Sequence, residues 1–204
     1  MEKIILIGGA PTVGKSYLAR KLSKSLGIPW ISTDTIRSQM RKKVKKKDYP
    51  KIFFFGEGTN AVATDYLTNH TPSQIVKHQN EESEEVWIGV SETINNALEI
   101  KKSLIIEGVA VLPYLASKRM NEDKRIRVAF LVDENVERIR KTIFTRGLWD
   151  KASKYPDSVK EKEVEWVMAF NDYIKKEAKK YGLPLVTIKD RESYLNDVKK
   201  IISK

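Results

Sequence analysis

Residues 8–16 read Gly-Gly-Ala-Pro-Thr-Val-Gly-Lys-Ser, and Gly9 to Ser16 fit the spacing G-x-x-x-x-G-K-[ST]. In that pattern the glycines let backbone N–H groups close around phosphate oxygens. The lysine spans the β- and γ-phosphates, and the hydroxyl ligates Mg2+. Gly9, Ala10, Pro11, Thr12, Val13, Gly14, Lys15, Ser16 and Tyr17 are the expected nucleotide contacts, with Lys15 also acting in the chemistry and Ser16 on the metal. The alternative is a chance match in which Gly8 and Gly9 only turn the chain. The flanks argue against chance. Lys3-Ile4-Ile5-Leu6-Ile7 is an apolar run of strand length, and Leu18, Leu22 and Leu26 follow at helical spacing. A strand, a glycine-rich turn and a helix place loop N–H groups at a positive helix end, which suits a polyphosphate. ATP with Mg2+ is the expected ligand.

A second group follows the next strand-like run, as Ser32-Thr33-Asp34-Thr35-Ile36-Arg37. Thr33 or Asp34 would cap a helix there. The other reading rests on topology, because the C-terminal ends of parallel strands open into the ligand crevice. Asp34 would then act as base for an acceptor hydroxyl or as an outer partner of Mg2+. Arg37 and Arg41, four apart, share a helix face and could grip an anionic acceptor with Asp34, although Arg41 also opens a solvated basic run.

Leu104-Ile105-Ile106-Glu107-Gly108 ends an apolar strand on an acid. An acid in that place can orient Mg2+ or its water shell, and Glu107 is expected to do so through water; alternatively it caps the next segment. Phosphoryl chemistry also needs a cation over the transferred group. Arg146 is the candidate. Ile139 should claim the buried face of its helix, which puts Arg138 and Arg140 outside. His70 and His78 have no ligand cluster in the sequence and are expected at the surface.

The elements that must position these residues alternate. Strands are expected at 3–7, 28–32, 103–107, 126–132 and 185–188. Helical spacing links Ile36, Met40 and Val44; Val86, Val90, Ile94 and Leu98; Val136, Ile139 and Ile143; Val164 to Tyr181; and Tyr194, Val198 and Ile201. Gly182 is placed to end the long fourth helix. The pattern predicts an α/β fold of three layers: a five-stranded parallel sheet with helices on both faces, in one domain over residues 1–204. A helical flap is expected at about 48–85, beginning near Phe53-Phe54-Phe55-Gly56, and a short lid at about 146–157.

With 204 residues, 41% hydrophobic and 32% charged, the composition is that of a globular chain. No apolar stretch approaches the roughly 20 residues of a membrane span. The first strand starts at once, so no leader peptide is expected. Cysteine is absent, which removes disulfides and thiolate chemistry; the cytoplasm is the expected location. The net charge of +11 fits either a nucleic-acid surface or an enzyme whose ligands are anions. The longest basic run, Arg41 to Lys47, carries no interleaved aromatic residue, unlike the stacking surfaces of single-strand binders.

The loop at 8–16, Ile31-Ser32-Thr33-Asp34-Thr35-Ile36-Arg37 with Met40-Arg41, Ile105-Ile106-Glu107-Gly108-Val109 with Pro113, and Tyr173-Ile174 leading to Leu183-Pro184 together resemble the archaeal 2-phosphoglycerate kinase family. The resemblance spans most of the chain and is weakest at 45–80 and 147–160. It implies an adenylate-kinase-like P-loop fold and ATP-dependent phosphorylation of a small phosphorylated hydroxy acid. The residues alone leave two rivals open: a nucleoside, nucleotide or polynucleotide 5′-hydroxyl kinase, and a non-catalytic ATP-binding switch.

Overall fold

A computed structural model describes residues 2–53, 60–148, 151–189 and 193–203. Phe54, Phe55 and Gly56 of the expected flap, and residues 149 and 150 of the expected lid, lie outside the described residues. Five parallel strands form one sheet: β1 (Ile4–Gly9), β2 (Trp30–Ser32), β3 (Leu104–Glu107), β4 (Ile126–Val132) and β5 (Leu185–Thr187), in the order β2-β3-β1-β4-β5. β1 is buried at all six positions, as a strand covered on both faces must be. Its register sets Ile7 beside Glu107 and Gly9 beside Leu131, so the carboxyl ends of β1, β3 and β4 finish together.

The helices are α1 (Lys15–Leu26), α2 (Thr33–Arg41), α3 (Asn60–Asn69), α4 (Pro72–Glu99), α5 (Pro113–Glu122), α6 (Val136–Arg146), α7 (Asp157–Lys180) and α8 (Ser193–Ser203). α1 and α8 pack together on one side of the sheet, and α4, α5 and α7 form the other layer. The expected α/β architecture and five-stranded parallel sheet are present. No helix of the described residues is long and apolar enough to cross a membrane.

Four local features bear on the site. First, α4 starts at a reciprocal cap, the Thr71 hydroxyl accepting from the Gln74 amide while the Gln74 side chain takes the Thr71 N–H. It then runs unbroken for 28 residues, so the described part of the 48–85 segment includes α3, the turn after it and the first part of a core helix. Second, α2 stops at Arg41, where the amides of Lys43 and Val44 turn back onto the Met40 carbonyl. Val44, expected on that helix, lies past its end. Third, Gly108 has φ 152°, and a methyl group there would stand 1.8 Å from Thr33 Oγ1. The end of β3 therefore lies directly against the start of α2, a contact only glycine permits. Fourth, Gly182 takes φ 63° and the Leu183 amide bonds the Ala178 carbonyl, closing α7 in the left-handed turn expected.

Candidate active site

The loop between β1 and α1 reverses direction through two left-handed residues, Thr12 at φ 69° and Gly14 at φ 85°. Gly14 precedes α1 without a side-chain cap, so the first amides of that helix are left for a ligand. Thr12 Oγ1 is buried with no partner among the described residues. A cavity of about 300 Å3 opens over the loop, walled by Thr12 to Tyr17, Arg20, Asp133, Arg138, Thr142, Arg146, Ile188 and Tyr194. Of the expected nucleotide contacts, Thr12, Val13, Gly14, Lys15, Ser16 and Tyr17 line it. Gly9, Ala10 and Pro11 form the loop behind.

Lys15 is buried, and its Nζ donates to the Ala10 carbonyl at 2.6 Å. Burial pulls its pKa down to about 8, against the carboxylates of Glu107 and Asp34 that hold it up; Arg146 adds to the fall. Glu107, 3% exposed, accepts the Ser16 hydroxyl at 2.9 Å. Burial raises the Glu107 pKa, opposed by Lys15 and by the Ser16 bond. Lys15, Ser16, Glu107, Asp34 and Arg146, drawn from four separate places in the sequence, thus form one electrostatic neighbourhood. Glu107 is bound to the loop rather than capping the segment after β3.

The helix carrying Asp34 is capped by Ser32, whose Oγ accepts the Thr35 amide at 3.1 Å. This corrects the expectation of Thr33 or Asp34 as the cap. Thr33 is buried under Gly108, which moves the capping role back by one residue. The Asp34 carboxylate is 67% exposed and meets Arg37 Nη2 at 3.0 Å. Arg37 Nη1 bonds Glu82 at 2.9 Å, and Arg41 Nη2 reaches the same carboxylate at 3.4 Å. Arg41 is only 17% exposed, and its Nε donates to the Ile52 carbonyl, so it belongs to this cluster and not to the solvated run that follows. Lys42, Lys43, Lys45, Lys46 and Lys47 are exposed.

Two other expectations are corrected. Arg138 lines the cavity rather than facing outward. Arg138, Thr142 and Arg146 are spaced by four and follow one flank of α6, whereas Ile139 and Ile143 take the flank toward the core. Arg138 is held by Asp133 at 2.6 Å and by the carbonyls of Ile188 and Lys189, tying the end of β4 to the segment after β5. Arg140 does turn away, to Glu137 and Glu161. The histidines are half-buried and not isolated: the α3–α4 turn brings His70 and His78 together at 5.4 Å between ring centres. Tyr66 stacks on His70 and shares a 2.7 Å hydrogen bond with His78 Nδ1. Among the described residues no three His, Asp or Glu side chains are grouped to hold a metal ion.

Sequence reasoning missed Glu82, Asp133, Thr142, Ile188 and Tyr194. The spacing of Arg138, Thr142 and Arg146 carried a usable signal. So did Glu82, a carboxylate on the inward stripe of α4 with Ile75, Gln79 and Val86. Ile188 and Tyr194 reach the cavity only through sheet order.

A family model described as an AAA domain matches residues 4–113, from β1 to the start of α5. The chain belongs to that family. The AAA domain match thus contains the phosphate loop, Asp34, Arg37, Glu82 and Glu107, whereas Arg138 and Arg146 lie beyond it. Among curated proteins, the 2-phosphoglycerate kinase of Methanocaldococcus jannaschii is 32% identical over 184 residues, covering 90% of this chain and 57% of that protein. That of Methanothermobacter thermautotrophicus is 30% identical over 212 residues, covering 98% and 65%. The chain therefore spans less than two thirds of the length of these relatives. Among solved structures, shikimate kinase from Bacteroides thetaiotaomicron superposes with a TM-score of 0.56 at 14% identity, covering 99% of each chain. Dephospho-CoA kinase from Campylobacter jejuni gives 0.50 at 12%, covering 98% and 96%. These likenesses show the P-loop kinase fold.

Proposed function

We propose that this AAA domain chain transfers the γ-phosphoryl group of ATP, with Mg2+, to a hydroxyl of a small anionic acceptor, and that it does so in the cytoplasm. 2-Phosphoglycerate is the first candidate acceptor. One observation carries the reading: the Ser16–Glu107 pair and Lys15 stand at the mouth of the loop with Asp34 in electrostatic reach. A nucleotide site alone needs no exposed carboxylate beside its lysine; transfer to a hydroxyl does. The names of the curated relatives support the acceptor class.

Ser16 and Glu107 suit Mg2+, because both offer oxygen and the ion takes few protein ligands while keeping waters. Ser16 would hold it directly and Glu107 through water. Bound there, the ion supplies positive charge to the phosphate oxygens. Lys15 and the loop amides would fix the phosphates, and Arg146 would offset charge spread over the transferred group. Asp34 would take the proton of the acceptor hydroxyl as its oxygen attacks phosphorus, and ADP leaves. Arg37, with Arg41 beside it, would bind the acceptor's anionic group.

Nucleotide binding should weaken on the alkaline side. In the ligand-free protein Lys15 loses its proton as pH rises through about 8, and only the ammonium form attracts phosphate. Titration calorimetry with ATP should give a Kd about tenfold weaker at pH 9 than at pH 7, by the protonated fraction of one site. The same Kd at both values would show that Lys15 does not govern binding.

The function is tested by ADP release in the presence of ATP and Mg2+ with 2- and 3-phosphoglycerate, shikimate, nucleosides and a 5′-hydroxyl oligonucleotide. Turnover with a phosphoglycerate is the expected result. Turnover confined to the oligonucleotide, or none with any acceptor, would overturn it.

A further inference from the structure

The inward stripe of α4 contains Ile75, Val86, Val90 and Ile94, yet Glu82 sits in it at 1% exposure. A buried carboxylate is costly unless its charge is met, and even a met pair seldom stabilises a fold more than an apolar side chain would. Burial raises the Glu82 pKa, and Arg37 and Arg41 counter it. The arrangement around the carboxylate is directional. Oε2 takes Arg37 Nη1 at 2.9 Å and the buried Gln79 amide at 3.2 Å, while Oε1 faces Arg41 Nη2 at 3.4 Å. Arg37 stays 24% exposed, and its other terminal nitrogen lies 3.0 Å from Asp34. One guanidinium is thus shared by two carboxylates, one buried and fixed on α4, the other exposed beside the phosphate loop.

We propose that Glu82 is a positioning residue for acceptor binding, holding Arg37 at the distance from Asp34 at which that guanidinium can receive an oxyanion of the acceptor. The inference rests on the kinase reading given above and deepens it by naming what sets the acceptor subsite. Without Glu82, Arg37 keeps Asp34 as its remaining carboxylate. A guanidinium and a carboxylate close readily into a two-bond pair, and the two N–H donors turned to that carboxylate are then no longer offered to a ligand. Arg41 would at the same time lose its screening carboxylate and repel Arg37. Glu82 acts through Arg37 and touches neither ATP nor the acceptor.

Binding, not turnover, is the readout, which separates this inference from the kinase reading. Wild type, Glu82→Gln, Glu82→Asp, Arg37→Ala and the Glu82→Gln/Arg37→Ala double variant are titrated with 2-phosphoglycerate and, separately, with a non-hydrolysable ATP analogue. Glu82→Gln should weaken 2-phosphoglycerate at least tenfold and leave the ATP analogue within about twofold. Arg37→Ala should lose as much, and the double variant no more than either, since coupled residues fail to add. Glu82→Asp, which keeps the charge, should recover part of the affinity. Additive losses, equal weakening of the ATP analogue, or a wild type that does not bind 2-phosphoglycerate would each overturn the proposal. Normal binding behaviour with no ADP release on any acceptor would sink the kinase reading and uphold the role of Glu82. If Glu82→Gln does not fold, Glu82→Asp and Arg37→Ala decide: a Glu82→Asp affinity for 2-phosphoglycerate below wild type but above that of Arg37→Ala, with the ATP analogue unmoved, supports positioning by Glu82, and an unchanged affinity in either variant overturns it.

Discussion

Lys15→Ala should abolish phosphoryl transfer, by a factor of about 10² or more, in a protein that still folds. A positioned cation in a water-poor phosphate site contributes on that order. Here the loss is compounded by Glu107. Its pKa is pushed up by burial and held down first by Lys15. Removing the ammonium leaves Glu107 with the Ser16 hydroxyl bond and more distant charges, so the carboxyl shifts further toward its neutral form. The group proposed to hold the metal's water shell would then lose charge together with the phosphate contact. Folding should survive, because the Ala10 carbonyl bonded by Lys15 belongs to a loop shaped by its own backbone, and an alanine removes a buried cation that is itself costly to desolvate. Circular dichroism melting would confirm the fold, and ADP release would measure the loss. Transfer within a few-fold of wild type would refute the assignment of this lysine.

The sequence made the loop and the central strands legible for a physical reason. β1, β3 and β4 are covered on both faces and read as nearly continuous apolar runs, broken only by Glu107 and Arg127, so they stand out from the helices around them. β2 and β5 are only three residues each and lie at the sheet edges, which is why their expected bounds, 28–32 and 185–188, were wider than those observed. Strand order is set by packing among distant segments and leaves no local trace. The end of α2 was hidden because Val44 continues the spacing of Ile36 and Met40, while nothing in Lys42 to Lys47 announces a stop. The histidines looked isolated because a helical hairpin brings together residues eight apart that periodicity treats as separate. Arg138 was placed outside by assigning α6 one buried face, yet a helix at the rim of a cavity uses its flank as well. The placement of Asp34 and Glu107 near the loop could be expected because residues at the carboxyl ends of parallel strands converge wherever the sheet places them. Glu82, a polar residue on an apolar stripe, was visible in principle, but only the arginines that meet it show what it is for.

Asp34→Asn should lower turnover by about 10²–10⁴, the contribution of a general base, and leave ATP affinity within a few-fold. The competing structural role has been removed by Ser32, which caps α2 in its place. The carboxylate is 67% exposed, so its pair with Arg37 is worth little to stability and melting should shift by only a few degrees. ATP affinity is protected for a further reason. Asp34 helps keep Lys15 protonated, but it ranks behind Glu107, so the larger support of the ammonium form is kept after the substitution. Arg37 keeps its bond to Glu82 and continues to bind the acceptor, which predicts a loss in kcat with the acceptor KM nearly unchanged. The asparagine is isosteric and can still accept a hydrogen bond; what it cannot do is take a proton. Turnover equal to wild type would remove Asp34 from the chemistry. Turnover restored by raising Mg2+ would move it from the acceptor hydroxyl to the metal's outer shell. A low kcat that added Mg2+ does not restore, with ATP and acceptor both still binding, is the result expected of the base.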